Sequence, residues 1–291
     1  MRWHHGAGAL SSTKSLNGSS NSCAPKPSNR CVHPALKMRH LRQTPHPPTP
    51  LQALRRQHRP LAESLYQRKT THMSLQLYFA PGACSFVPHV LLELSGAEFE
   101  PSMVKLHKGE QNSADYKAIN PRGQVPVLVH NGQAVTQILA IVLHLDQLFP
   151  KLGFLPAEPM ARARALSTLA WMNNTVHPTF THIFMPQKFS DQSEVQAALK
   201  PYNTQLFRGM LGELQALVQG AENQGQAWLS GERLGALEAY SLTLARWGTI
   251  AGIAASEHPV MWRFVEKVAA DPAVSRVIAR ERLQLNMAPQ A

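Results

Sequence analysis

The chain has 291 residues, 44% of them hydrophobic, enough for one large or two medium globular domains. Its formal charge of +11 sits in residues 1–72, which hold 12 Lys+Arg against a single acid, Glu63, while the rest carries 17 residues of each sign. A nucleic-acid reading is therefore confined to the first quarter, and no run of 18 apolar residues marks a membrane-spanning helix.

Residues 1–72 ("SSTKSLNGSSNSCAPKPSNRC", "RQTPHPPTP", "LRRQHRPLAESLYQRKT") are rich in Ser, Pro, Arg and His and lack a sustained apolar period. Such a segment buries too little surface to offset its chain entropy, so it is expected to be disordered. The favoured reading is that translation starts at Met73, immediately before the first strand. A basic tail for acidic surfaces and an organelle transit peptide are the alternatives, and mass spectrometry of the native N-terminus separates them. Cys23 and Cys31 lie in this segment and Cys84 alone lies beyond it, which excludes a disulfide scaffold. With no apolar h-region near residue 1, a reducing, cytoplasmic setting is expected.

From Leu75, "LQLYFA" reads as a short strand. "SFVPHVLLELSG" follows, with Phe86, Val90, Leu91 and Leu94 at helical spacing before Gly96. "FEPSMVKL" predicts a second strand, and "SADYKAIN" a short helix stopped by Pro121. "QVPVLVHNGQAVTQ" predicts a hairpin turning at Asn131-Gly132, where both residues tolerate positive φ. Thr136 is then expected to cap a helix over 137–149. The order is β-α-β-α-β-β-α over about eighty residues, after which Pro150, Pro156 and Pro159 punctuate a linker. Beyond it, "ARARALSTLAWMNNTVHPTFTHIF", "EVQAALKPYNTQLFRGMLGELQALVQG", "GALEAYSLTLARWGTIAGI", "PVMWRFVEKVAA" and "PAVSRVIARERL" all carry helical spacing. The predicted fold class is α/β plus all-α. The predicted divisions are an extension at 1–72, an α/β domain at 73–151 and a helical domain at 157–291.

With "YFAPGACSFVPH", "NPRGQVPVL" and "TQILAIVLHL" in order, the chain from 74 to about 285 resembles a cytosolic glutathione transferase, most closely the bacterial beta class. The resemblance implies a thioredoxin-like N-terminal domain, an all-helical C-terminal domain, a homodimer, and glutathione as co-substrate for a hydrophobic electrophile. It implies neither a metal nor an organic cofactor, and no ligand cluster or phosphate loop is visible in the sequence.

Cys84 precedes a helix, where free N–H groups and the dipole favour a thiolate. The resemblance places it facing the glutathione sulfur, as an exposed and partly ionised group; the bland alternative is a small buried hydrophobe. The resemblance further implies a cis Val125-Pro126 bond whose Val125 backbone meets the glutathione peptide. It implies that Lys108 meets the glycine carboxylate, and that Gln137 and Ile138 stand where the family has an acid and Ser or Gly for the γ-glutamyl end. An amide in place of the acid costs about 1.5–3 kcal/mol, tenfold to a hundredfold in affinity. His177 falls near the family's active-site histidine, with Pro178 where a Lys often follows; structural and site roles are both open for it. Phe79 replaces a common Tyr. Met172, Phe180, Phe184 and Trp247 are wall candidates for the electrophile, or plain core. Two other functions are carried: thiol–disulfide exchange or peroxide reduction through Cys84, and a non-catalytic binding role for the same fold.

Overall fold

The computed structural model describes residues 73–287; the expectations for residues 1–72 lie outside them. The chain opens with β1 (Leu75–Phe79), α1 (Phe86–Ser95) and β2 (Glu100–Met103), continues through α2 (Ala114–Ile119), and turns through the hairpin β3 (Val127–His130) and β4 (Gln133–Thr136) into α3 (Ile138–Leu148). The sheet order is β2-β1-β3-β4, with β1 parallel to β2 and the other pairs antiparallel. Alternation along the strands gives the sheet two faces. Leu77, Phe79 and Leu128 join Val90, Leu91, Ile141 and Leu145 in the main core, while Tyr78, Val127 and Val129 meet Tyr116 and Ile119 of α2 on the other side. This is the thioredoxin-like arrangement expected from the sequence. The hairpin turns where predicted, with Asn131 at φ 50° and Gly132 at φ 81°.

Thr136 does not cap α3. It is the last residue of β4, and the turn into the helix is made by Gln137 at φ 73°, with no side-chain cap. A strand that must reverse direction in one residue leaves no place for an extended capping residue before the helix.

The remainder is helical: α4 (Pro159–Trp171), α5 (His177–Phe184), α6 (Ser193–Asn223), α7 (Ala236–Ile250), α8 (Pro259–Ala269) and α9 (Pro272–Glu281). The sequence reads 161–184 as one helical run. The structure divides it with a π turn at Met172–Val176, directly before Pro178. A proline supplies no N–H to the preceding turn, and a wider i→i+5 turn lets the chain carry on past it.

At the start of α7, Gly235 stands where a Ser or Thr would normally cap, and the reason is space. A Cβ there would collide with the Phe154 carbonyl oxygen. Ser230 supplies the missing hydroxyl from five residues upstream, accepting from Leu237 N–H at 3.3 Å. The fully buried Glu238 carboxylate accepts from Gly235 N–H and Ser230 N–H, both at 2.8 Å. Burial raises its pKa against these hydrogen bonds.

α7 and α9 pack on α1 and tie the helical part to the sheet. Fully buried His89 of α1 meets Glu281 Oε1 through Nδ1 at 2.7 Å, and Arg280 donates to its Nε2 at 3.0 Å. Arginine has only donors, so the ring's hydrogen sits on Nδ1 and points at Glu281. Glu93 on the same helix takes Arg276 and Arg280 at 2.6 and 2.8 Å.

Candidate active site

Four connections meet at one end of the sheet. In register, Tyr78 lies opposite Val127 and Val127 opposite Thr136, while Phe79 pairs with Met103. The end of β1, the head of β3, the end of β4 and the end of β2 therefore share one edge. They bring there the Cys84 turn, Val125-Pro126, Gln137 and the short turn Leu106–Lys108. Every sequence-predicted site residue in the N-terminal domain lies on this edge.

The Cys84 turn is held from both sides. Ser85, fully buried, accepts from Ala80 N–H through its hydroxyl and donates to Ala80 O, both at 3.1 Å, closing the loop on β1. From the helical part, Glu281 Oε2 accepts from Gly82 N–H at 2.8 Å and Trp247 Nε1–H donates to Gly82 O at 2.9 Å. Gly82 sits at φ 68°, and a Cβ there would come within 2.7 Å of the Arg246 guanidinium. The position thus needs glycine for its left-handed conformation.

Cys84 departs from expectation. It lies at the helix start, one residue before the cap position Ser85, yet its side chain is only 8% exposed. Burial pushes its thiol up to about 12, although the backbone N–H groups of Cys84 and Ser85 and the Lys188 charge pull the other way. The expectation of an exposed, partly ionised thiol is corrected: desolvation by side chains far along the chain outweighs the helix-end donors. The Sγ lies 3.6 Å from the Val125 carbonyl oxygen, the acceptor for its proton. Native protein at pH 7.5 should accordingly react with a thiol reagent at least about a hundredfold more slowly than urea-unfolded protein. Equal rates would show the thiol to be open.

Val125-Pro126 is cis, as expected. The loop before it is pinned by Tyr116 OH and Asn120 Nδ2, which donate to Gln124 O at 2.8 and 2.7 Å. Gly123 at φ 60° passes so near the Gln111 carbonyl that a Cβ would lie 2.8 Å from it. The run Asn120–Pro126 is thus a braced loop. Lys108 is exposed on its turn. Gln137 is exposed, but Ile138 is 3% exposed and its side chain joins the core, leaving only its backbone N–H for a ligand.

His177 opens α5, and its Nδ1 lies 3.0 Å from Tyr240 OH. The ring packs on Trp247 at 4.7 Å between centroids. Burial lowers its pKa to about 4, helped by Lys188, so the ring is neutral at physiological pH. The native state therefore refuses a proton that the unfolded chain binds with an ordinary pKa of 6.5. The stability this confers is fully present above about pH 6.5 and drains as pH falls toward 4, by about 3 kcal/mol. His177→Asn should lose less stability than the parent over that window in urea titrations, and parallel slopes would contradict the assignment.

Of the four wall candidates, Met172, Phe180 and Trp247 are core residues at 0, 5 and 4% exposed, while Phe184 is 60% exposed. The three aromatic ones form a ladder in which Trp247 stacks on Phe180 at 4.6 Å and Phe180 on Phe184 at 5.5 Å. Phe79 is buried against His89 at 4.7 Å, a core contact. Lys188 was not singled out from the sequence. It lies eleven residues past His177 in a turn, with no motif to mark it.

A thioredoxin-like domain with a braced cis-proline loop and an open helix start, joined to a helical partner, is the architecture of the glutathione transferases. The family model for the glutathione S-transferase N-terminal domain matches residues 73–147. Glutathione S-transferase GST-4.5 of Xanthomonas campestris pv. campestris is 32% identical over 211 residues, covering 72% of this chain and all of that one. A bacterial beta class glutathione S-transferase of Sphingomonas chungbukensis aligns at TM-score 0.62 and 25% identity, and a sphingomonad glutathione S-transferase complexed with glutathione at TM-score 0.61 and 27% identity. Each alignment covers 72% of this chain and 100% of the other. The chain belongs to the glutathione S-transferase family.

Proposed function

We propose that the protein binds glutathione at the sheet edge and promotes attack of its sulfur on a small hydrophobic electrophile. The observation that carries this reading is the convergence of unspent backbone donors and acceptors there. The start of α3 has no side-chain cap, so the N–H groups of its first turn are free for the γ-glutamyl carboxylate. Val125 N–H is without a protein partner among the described residues and offers itself to the peptide portion. Gln137 accepts at the ammonium, and Lys108 is the cation for the glycine carboxylate. The N–H groups of Cys84 and Ser85, which favour a thiolate at Cys84, serve equally for a ligand sulfur that is better solvated. Cys84 then acts as a neutral neighbour that positions the sulfur. His177, neutral and with Nε2 free of protein partners among the described residues, faces the aromatic wall as a hydrogen-bonding group.

Thiol exchange at Cys84 needs its thiolate, and burial works against that species. We place the protein in the cytoplasm as a homodimer, with domain limits at 73–151 and 157–291. Among the described residues no helix is long and apolar enough to cross a membrane, and no cluster of three or more potential ligands could hold a metal. The purified chain should be retained on immobilised glutathione and conjugate 1-chloro-2,4-dinitrobenzene at millimolar glutathione. Absence of both retention and turnover would sink the proposal, whereas binding without turnover would leave the non-catalytic reading standing.

A further inference from the structure

The ladder Trp247–Phe180–Phe184 starts at the Cys84 turn, through the Trp247 bond to Gly82 O, and ends on an exposed ring. A second exposed ring follows five residues later: Phe189, 47% exposed, lies flat on His182 at 3.6 Å between centroids. His182 is fixed by its Nδ1, which donates to Pro178 O at 2.7 Å. Two anchored aromatic faces thus flank one short turn, Pro186–Lys188, closed by Lys188 N–H on Met185 O at 3.0 Å.

Lys188 is exposed, and its ammonium has no ion pair or hydrogen bond among the described residues. The groups its charge reaches are Cys84 and His177. Both are uncharged at neutral pH, one held protonated and the other unprotonated by burial. Asp191 and Glu194, the nearest acids in sequence, do not pair with it. An unpaired cation on a turn bracketed in sequence by two exposed aromatic rings, one of them stacked back to the Trp247 that bonds the Cys84 turn, suits a flat, negatively charged molecule.

We propose that the second substrate is a planar aromatic electrophile bearing an anionic group such as a carboxylate, its ring against Phe184 and Phe189 and its charge on Lys188. This rests on the transferase reading above and adds the substrate's charge and shape.

The test compares 4-chloro-3,5-dinitrobenzoate with its methyl ester, which share ring and leaving group, across the parent, Lys188→Met and Lys188→Arg. The KM ratio of carboxylate to ester should rise about fivefold to tenfold in Lys188→Met and stay near the parent's in Lys188→Arg. Added salt should raise it in the parent and in Lys188→Arg but not in Lys188→Met. An unchanged ratio overturns the proposal. So does an equal loss on both substrates, which would assign Lys188 to the glutathione thiolate instead. Binding of 2-naphthoate and 2-naphthamide, followed by tryptophan fluorescence, decides the matter without turnover. Preference for the naphthoate, lost in Lys188→Met, supports the anion site even if the parent conjugates nothing, and no preference rejects it. Absence of conjugation with every substrate would count against the transferase reading alone.

Discussion

Glu281→Ala should lower the free energy of unfolding by about 3–5 kcal/mol, because it removes one partner from a buried charged cluster and leaves the others stranded. The carboxylate is 3% exposed and serves two donors at once, His89 Nδ1–H at 2.7 Å and Gly82 N–H at 2.8 Å. His89 is fully buried and has no water to turn to, whereas Gly82 is only partly buried and loses less. Each stranded donor costs about 1–3 kcal/mol. A pair of similar length on the surface gives the contrast. Arg208 and Glu257 lie 2.7 Å apart but are about one-third exposed, so Glu257→Ala should cost no more than about 1 kcal/mol. Urea denaturation measures both. A Glu281→Ala midpoint within error of Glu257→Ala would show that the network is dispensable. The same substitution frees one side of the Cys84 turn, so Cys84 labelling should quicken in Glu281→Ala under native conditions.

That coupling explains what could be read from the sequence and what could not. Strand and helix order, the Asn131-Gly132 turn and the helical second half follow from local spacing, and local spacing is what a sequence displays. The cis bond at Val125-Pro126 came from a resemblance of motif. Cys84's protonation did not follow, because a helix start predicts a lowered thiol pKa. What overrides it is burial completed by a helical part whose Trp247 bonds to the turn 165 residues away. Ile138 was hidden for a related reason: nothing local distinguishes an apolar residue facing a ligand from one facing the core. Only the position of Phe154 shows why Gly235 admits no larger residue and why Ser230 supplies the hydroxyl there. Lys188 had no motif at all. The role proposed for it rests on the rings of Phe184 and Phe189 that flank its turn, a pairing no sequence pattern marks.

Gln137→Glu should tighten glutathione binding by tenfold to a hundredfold, about 1.5–3 kcal/mol, by restoring one charge-assisted hydrogen bond to the γ-glutamyl ammonium. The backbone is already set for it. Gln137 sits at φ 73° and ψ 129°, a conformation unusual for a residue with a side chain, and holds the helix start open without a cap of its own. An acid of nearly the same shape inherits that geometry, so the gain should appear as affinity with little change in the unfolding midpoint. The neighbouring position behaves differently. Ile138 is 3% exposed within the core, so Ile138→Ser exchanges buried apolar volume for a hydroxyl and should cost about 2–4 kcal/mol of stability, whatever it does for the ligand. Calorimetric titration of Gln137→Glu, Ile138→Ser and the double variant separates the two effects. If Gln137→Glu bound no more tightly than the parent, the ammonium would not lie at this residue. Affinity in the parent would then have to come from the α3 N–H groups, Val125, Lys108 and the helix-start donors at Cys84 and Ser85, without Gln137.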